Sequence, residues 1–255
     1  MKKVLEIKSH VMGEGKPLVC VPVMETSKEK IIQEVQLLVE KGVEMIEWRV
    51  DAFESPTDMN AIREVLESIQ PLVEHTIFVY TFRSKAQGGL LQLSEEQIYD
   101  IHQVAAEMKV VDFVDVEYFA SKNPKKEIAT LQRMGVHVIA SHHDFDGTPK
   151  QDIMLMILSQ MQESGADVVK LAVMPQTTTD VFALMAASCQ FHEEYPKMPM
   201  ITMSMGGKGC VSRICGETFG SCVTFGAGEK ASAPGQLPMD ELQHMVKVIH
   251  EAQDK

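Results

Sequence analysis

A chain of 255 residues that is 45% hydrophobic and 24% charged has the apolar material for a sizeable globular core. Its formal net charge of −12 argues against nucleic acid or an anionic membrane as the main partner, but not against a small anionic ligand held by local arginines. No apolar run of about 18 residues occurs, so no transmembrane helix is expected.

In chain order, the first dozen residues, ending in Gly13-Glu14-Gly15, read as a strand or hairpin. The lysines and glutamate around Met1-Lys2-Lys3 break any signal-peptide core. Short β-branched, apolar runs then alternate with amphipathic segments. Strands are expected over 18–23, 45–51, 76–83, 111–119, 136–144, 167–175, 199–205 and 221–225. Helices are expected over 28–41, 58–69, 94–108, 125–134, 150–163, 179–193 and 239–252, with a short one near 212–218. Eight strand–helix repeats of this length predict a (β/α)₈ TIM barrel. An open doubly wound sheet is the competitor, but Pro22-Val23-Met24-Glu25-Thr26 is not the glycine-rich turn such a sheet carries after its first strand. No linker or repeat interrupts the pattern, so residues 1–255 are expected to form one domain. Cys20, Cys189, Cys210, Cys215 and Cys222 make an odd set without a CxxC pair, as in the reduced thiols of a cytoplasmic protein.

Barrel strands are buried on both faces, so polar residues of one parity inside them need a reason. Glu47, Arg49 and Asp51 share a face in the second strand, and Thr81 and Arg83 in the third. Asp115 and Glu117 follow in the fourth, and Ser141 and His143 in the fifth. A structural ion-pair network accounts for any one pair. Two arginines, a histidine and a lysine around one mouth fit a site better, since barrels do their chemistry at strand C-termini.

That lysine, Lys170, lies in Asp167-Val168-Val169-Lys170-Leu171-Ala172-Val173-Met174. One reading is a stem packed inside with its head in water. The other is a desolvated amine that loses its proton and condenses with a carbonyl to a Schiff base. After the seventh strand, Gly206-Gly207-Lys208-Gly209 has the wrong spacing for a phosphate loop and reads as a flexible turn. The polar segment 228–235 reads as a lid or an ordinary connection. His142 and His143 are adjacent and so face opposite ways in a strand, and no metal-binding array appears.

Several blocks stand out in order along the chain: Glu47-Trp48-Arg49-Val50-Asp51, Thr81-Phe82-Arg83-Ser84, His142-His143-Asp144-Phe145, Lys170-Leu171-Ala172-Val173-Met174-Pro175-Gln176, Thr202-Met203-Ser204-Met205, Ser212-Arg213 and Ser232-Ala233-Pro234-Gly235-Gln236. Together they resemble the type I 3-dehydroquinate dehydratase family. The resemblance runs in order over almost the whole chain. It implies a barrel with an N-terminal hairpin closing its base, a homodimer, no metal or other cofactor, and dehydration of 3-dehydroquinate in the shikimate pathway. Carried onto this chain, it makes Lys170 the imine-forming residue and His143 the general acid–base. Arg213 would clamp the substrate carboxylate, with Ser232 and Gln236 completing the enclosure. Glu47, Arg49 and Arg83 would hold ring hydroxyls, and Met203, Met205, Phe225 and Ala233 would form apolar walls. Gln87 stands where the family normally has glutamate, so it brings a hydrogen-bond acceptor to His143 without a charge. His142 replaces a common asparagine. Another Schiff-base barrel, such as a class I aldolase, and a catalytically silent binding barrel are the rival readings.

Overall fold

The computed structural model describes residues 4–195 and 197–253; the remaining positions of the expected 1–255 domain lie outside it. A hairpin of β1 (Leu5–Ile7) and β2 (His10–Met12) precedes eight parallel strands. These are β3 (Leu18–Val23), β4 (Met45–Arg49), β5 (Ile77–Thr81), β6 (Phe113–Glu117), β7 (His137–Asp144), β8 (Val168–Val173), β9 (Met200–Ser204) and β10 (Val223–Phe225). Each pairs with the next from β3 to β9, and β10 pairs with β3. The ring closes where Cys222 N donates to Met200 O at 2.8 Å, beside a parallel bridge from Met200 to Ser221. The TIM barrel expected from the alternation is therefore the fold observed.

The helices are α1 (Lys28–Glu40), α2 (Met59–Ile69), α3 (Glu95–Glu107), α4 (Pro124–Met134), α5 (Gln151–Gln162), α6 (Thr178–Glu194), α7 (Cys210–Ile214), α8 (Gly216–Phe219) and α9 (Met239–Gln253). Local chemistry sets several starts. Asp58 accepts from the Asn60 and Ala61 amides, and Ser94 with Gln97 and Thr177 with Asp180 form capping boxes. Most strands stop a residue or two short of their expected ends, because the terminal residues turn into loops.

Two expectations are corrected in detail. Asp51 does not continue the second strand; it sits in a 3₁₀ turn, Val50–Ala52, where its carboxylate is bonded by Arg49 and by the Arg83 and Leu90 amides. The single helix near 212–218 is two helices: the chain turns at Cys215, just before Gly216, and Ser212 in the first is tied back to Ser204 and Gly209. The glycine run before it forms a 3₁₀ turn, Gly207–Gly209. A Cβ on Gly209 would sit 2.1 Å from Ser204 O, so the turn is packed against β9 and needs glycine there.

Strand parity sorts the core into two layers. Ile46, Trp48, Phe78 and Tyr80 point outward under the helices, where the main core lies. The inward face changes character with height. Its lower positions are apolar, as at Met45, Ile77, Phe113, Ile139 and Val168, and the polar set stands above them. The hairpin caps this apolar floor with Leu5, Ile7 and Met12. Lys8 fastens it there by donating to Val73 O, Thr76 O and Asp112, all just before strands begin.

Candidate active site

At the C-terminal end of the strands, one cavity of about 460 Å³ gathers every residue expected at a site. Lys170 and His143 lie on its floor and wall, with Glu47, Arg49, Arg83 and Gln87 on one side. Met203, Met205, Phe225 and Arg213 line the other, and Ser232, Ala233 and Gln236 cover it from the lid. Gly88, Phe145 and Ala172 also line it. Ala172 was readable by parity with Lys170, and Phe145 by its place in the His-Asp-Phe block; nothing marked Gly88 except its neighbour.

Lys170 is 3% exposed, which excludes the strand-end reading with its head in water. The premise of an isolated amine also needs correction. Its Nζ lies 3.4 Å from both Glu47 Oε1 and Asp115 Oδ2 and 4.2 Å above the Phe225 ring. Two carboxylates thus offset its burial, and an amine must be neutral to attack a carbonyl. Asp115 is the neighbour that parity had placed inward without tying it to Lys170.

The carboxylates are themselves held. Thr81 Oγ1 donates to Glu47 at 2.9 Å, and Ser141 Oγ to Asp115 at 2.6 Å. Arg83 bridges Asp115 at 2.9 Å and Glu117 at 3.0 Å. Burial would raise the Asp115 carboxyl, but the charges of Arg83 and Lys170 and the bonds from Ser141 and Arg83 outweigh it and hold it below the usual range. Arg49 is fixed by a bidentate pair to Asp51, at 2.8 Å on both arms.

His143 stands two residues beyond the Lys170 level, since β7 and β8 align Ser141 with Lys170 and His143 with Ala172. Burial, then the charges of Arg83, Lys170, Arg49 and His142, push its imidazole well below the ordinary value, so the ring rests neutral. Gln87 Oε1 accepts from the His143 backbone N–H at 2.8 Å, which identifies that amide atom as the oxygen. The same oxygen lies 3.2 Å from Nδ1 and can only accept, so Nδ1 carries the ring proton and Nε2 presents the lone pair. His142 faces the other way, edge-on to Phe119 at 5.0 Å.

Arg213 differs from the other cations. It is 1% exposed, no carboxylate among the described residues pairs with it, and its Nε has no partner. Its other nitrogens find only Met203 Sδ, Phe225 O and Pro234 O. Burial pushes it down to about 10, still a cation at neutral pH. A buried guanidinium so placed is an anion site awaiting its charge. The lid docks on it: Pro234 O accepts from Arg213 at 3.1 Å and from Gly206 N at 3.0 Å.

A buried amine, a neutral histidine and an unpaired arginine in one enclosed mouth suit imine chemistry on an anionic ketone. The family model for type I 3-dehydroquinase matches residues 19–253. The chain belongs to that family. It is 39% identical over 253 residues to a 3-dehydroquinate dehydratase of Clostridium botulinum, covering 98% of this chain and 99% of that protein. The enzyme of the same name from Bacillus subtilis is 37% identical, with 97% of each chain covered. Among solved structures, the type I 3-dehydroquinate dehydratase of Clostridium difficile with covalently modified comenic acid superposes with a TM-score of 0.95. It is 38% identical and is matched over 99% of this chain and 100% of its own. Among the described residues, no helix is long and apolar enough to cross a membrane, and no group of three or more His, Cys, Asp or Glu is arranged to hold a metal ion.

Proposed function

We propose that this chain is a hydro-lyase that converts 3-dehydroquinate to 3-dehydroshikimate and water through an imine on Lys170, the third step of the shikimate pathway. Family membership supports the reaction, and the observation that carries the mechanism is the burial of Lys170 beside a neutral His143. The Lys170 amine, its proton passed on, attacks the C3 ketone, and loss of water gives a protonated imine. That cation draws electrons from C2 and lowers the cost of removing its proton. His143 Nε2 takes the C2 proton, leaving an enamine. The enamine electrons then expel the C1 hydroxyl, which leaves as water with the proton from His143. A histidine disfavoured as a cation gives that proton up readily. Water finally hydrolyses the imine, with His143 assisting, and frees Lys170.

Arg213 takes the substrate carboxylate, and Ser232 and Gln236 close over it from the lid. Glu47, Arg49 and Arg83 hold ring hydroxyls; their fixed ion pairs support this role by keeping them in place before substrate arrives. Met203, Met205, Phe225 and Ala233 keep water from the iminium. Residues 1–255 act as one domain, as a homodimer in the cytoplasm. Five thiols outside any disulfide support that compartment, and Phe182 and Met156, 61% and 49% exposed on α6 and α5, support a covered surface.

Borohydride added with 3-dehydroquinate should leave a reduced substrate adduct on Lys170 and inactivate the protein. The adduct is read by peptide mass spectrometry. Full activity in Lys170→Ala, or trapping on another residue, refutes the mechanism.

A further inference from the structure

The lid is a closed loop with a fixed neck. Ala227 N donates to Leu237 O at 2.8 Å and Met239 N to Ala227 O at 3.0 Å, so both ends leave the barrel at one point. Its tip docks through Pro234 O on Arg213 and Gly206, and Ser232, Ala233 and Gln236 cover the mouth. The hairpin and the apolar floor close the far end, so a ligand enters only when this loop lifts. Between neck and tip, its first arm, residues 228–230, crosses α1.

Glu34 of α1 lies against that arm. A Cβ on Gly228 would sit 3.1 Å from Glu34 Oε1, and Glu34 Oε2 is buried without a hydrogen-bond partner. The charged groups that share its groove are Glu25 from the loop after β3, Lys30 one turn earlier on α1, and Glu229 and Lys230 on the arm. Lys230 already donates to Glu25, at 2.7 Å. Burial, then the charges of Glu25 and Glu229, push the Glu34 carboxyl up to about 7 against the pull of Lys230. Part of that burial comes from Gly228, and the Glu229 charge belongs to the arm itself. Lifting the arm therefore lets Glu34 fall back toward its ordinary 4.5.

We propose that Glu34 is a positioning residue whose protonation governs lid closure: as a neutral acid it lets residues 228–230 lie against α1, and as a carboxylate it repels Glu229 and loosens them. Closure then takes up a proton. It is most favoured at or below pH 4.5, weakens as pH rises, and levels off above about 7, where Glu34 is ionised in both arrangements. Glu34 does not line the catalytic mouth, so it acts on the enclosure without touching what is enclosed. That the enclosure serves dehydration rests on the catalytic reading above; the lid equilibrium does not.

The test is amide hydrogen exchange of the full chain without substrate, comparing the parent with Glu34→Gln at each pH so that intrinsic exchange cancels. The Gly206 amide reports docking, since it donates to Pro234 O only while the lid is down. Exchange there should be faster in the parent, and the parent-to-variant ratio should widen by about threefold or more between pH 5 and pH 8. Glu34→Met, also neutral and of similar length, should reproduce Glu34→Gln, with melting temperatures checking that both fold. A ratio that does not change with pH, as a merely structural Glu34 would give, overturns the proposal, and so does slower exchange in the parent. In the dehydratase assay the parent-to-variant KM ratio should rise over the same range, and a KM ratio flat across pH overturns the proposal too. Absence of dehydratase activity beside the expected exchange counts against the catalytic reading alone.

Discussion

His143 receives two instructions from one side chain. Gln87 fixes which nitrogen is the base, and by being uncharged it leaves the ring under the field of Arg83, Lys170 and Arg49. The neutral form therefore persists to a pH well below 6.5, and the acid limb of kcat/KM should lie correspondingly low. In Gln87→Glu a carboxylate would stand 3.2 Å from Nδ1, favour the imidazolium and move that limb to higher pH. A pH–rate profile unchanged by Gln87→Glu would contradict this pairing. Arg213→Lys keeps the charge but loses the planar fork; a loss of about tenfold or more in kcat/KM, carried mainly by KM, is expected. At this scale the sequence was legible where a polar residue broke an apolar strand, as at Lys170. It was mute on pairing across strands: Asp115 and Glu47 meet Lys170 from positions 55 and 123 residues away, which parity alone does not reveal.

The lid shows how much an element depends on backbone contact. Gly235 has φ +77°, and a Cβ there would lie 2.2 Å from Gly206 O. Gly235→Ala should therefore prevent segment 228–235 from docking on Gly206 and Arg213. Steady-state kinetics should show a raised KM while the melting temperature changes little, since Lys170 and His143 are not held by that loop. The loop after β5 is bound as closely, because a Cβ on Gly89 would sit 1.9 Å from Arg83 O. Such contacts were unreadable beforehand; the glycines of 206–209 and 228–235 suggested mobility, whereas the structure packs them. Helix and strand existence was legible from periodicity, but Asp58 and Ser94, expected as the first helical residues, are the caps that precede their helices. The break at Cys215 was not read, although Gly216 follows it directly and begins the second helix, close against Ser221 O.

Across the whole molecule, charge and apolar material are stratified along the barrel axis. Asp115 sits below its ordinary carboxylate value, so its contribution to stability is present above about pH 4 and is lost as pH falls through the folded value. His143 acts in the same direction from higher pH: below 6.5 the unfolded chain gains a proton that the folded ring refuses. Relative to the parent, His143→Gln should accordingly lose less melting temperature as pH falls below 6.5, while Glu34, pushed up to about 7 by burial, acts in the opposite direction in both proteins. The barrel was legible as a whole because its alternation of strand and helix repeats so regularly; its vertical gradient needed the register between strands. The apolar floor of Met45, Phe113 and Ile139, stoppered by Met12 of the hairpin, has a kinetic corollary. A vessel closed at the bottom has one opening, so reactant, expelled water and product must share a single route. Turnover then becomes sensitive to solvent viscosity whenever that opening, rather than bond breaking, sets the pace.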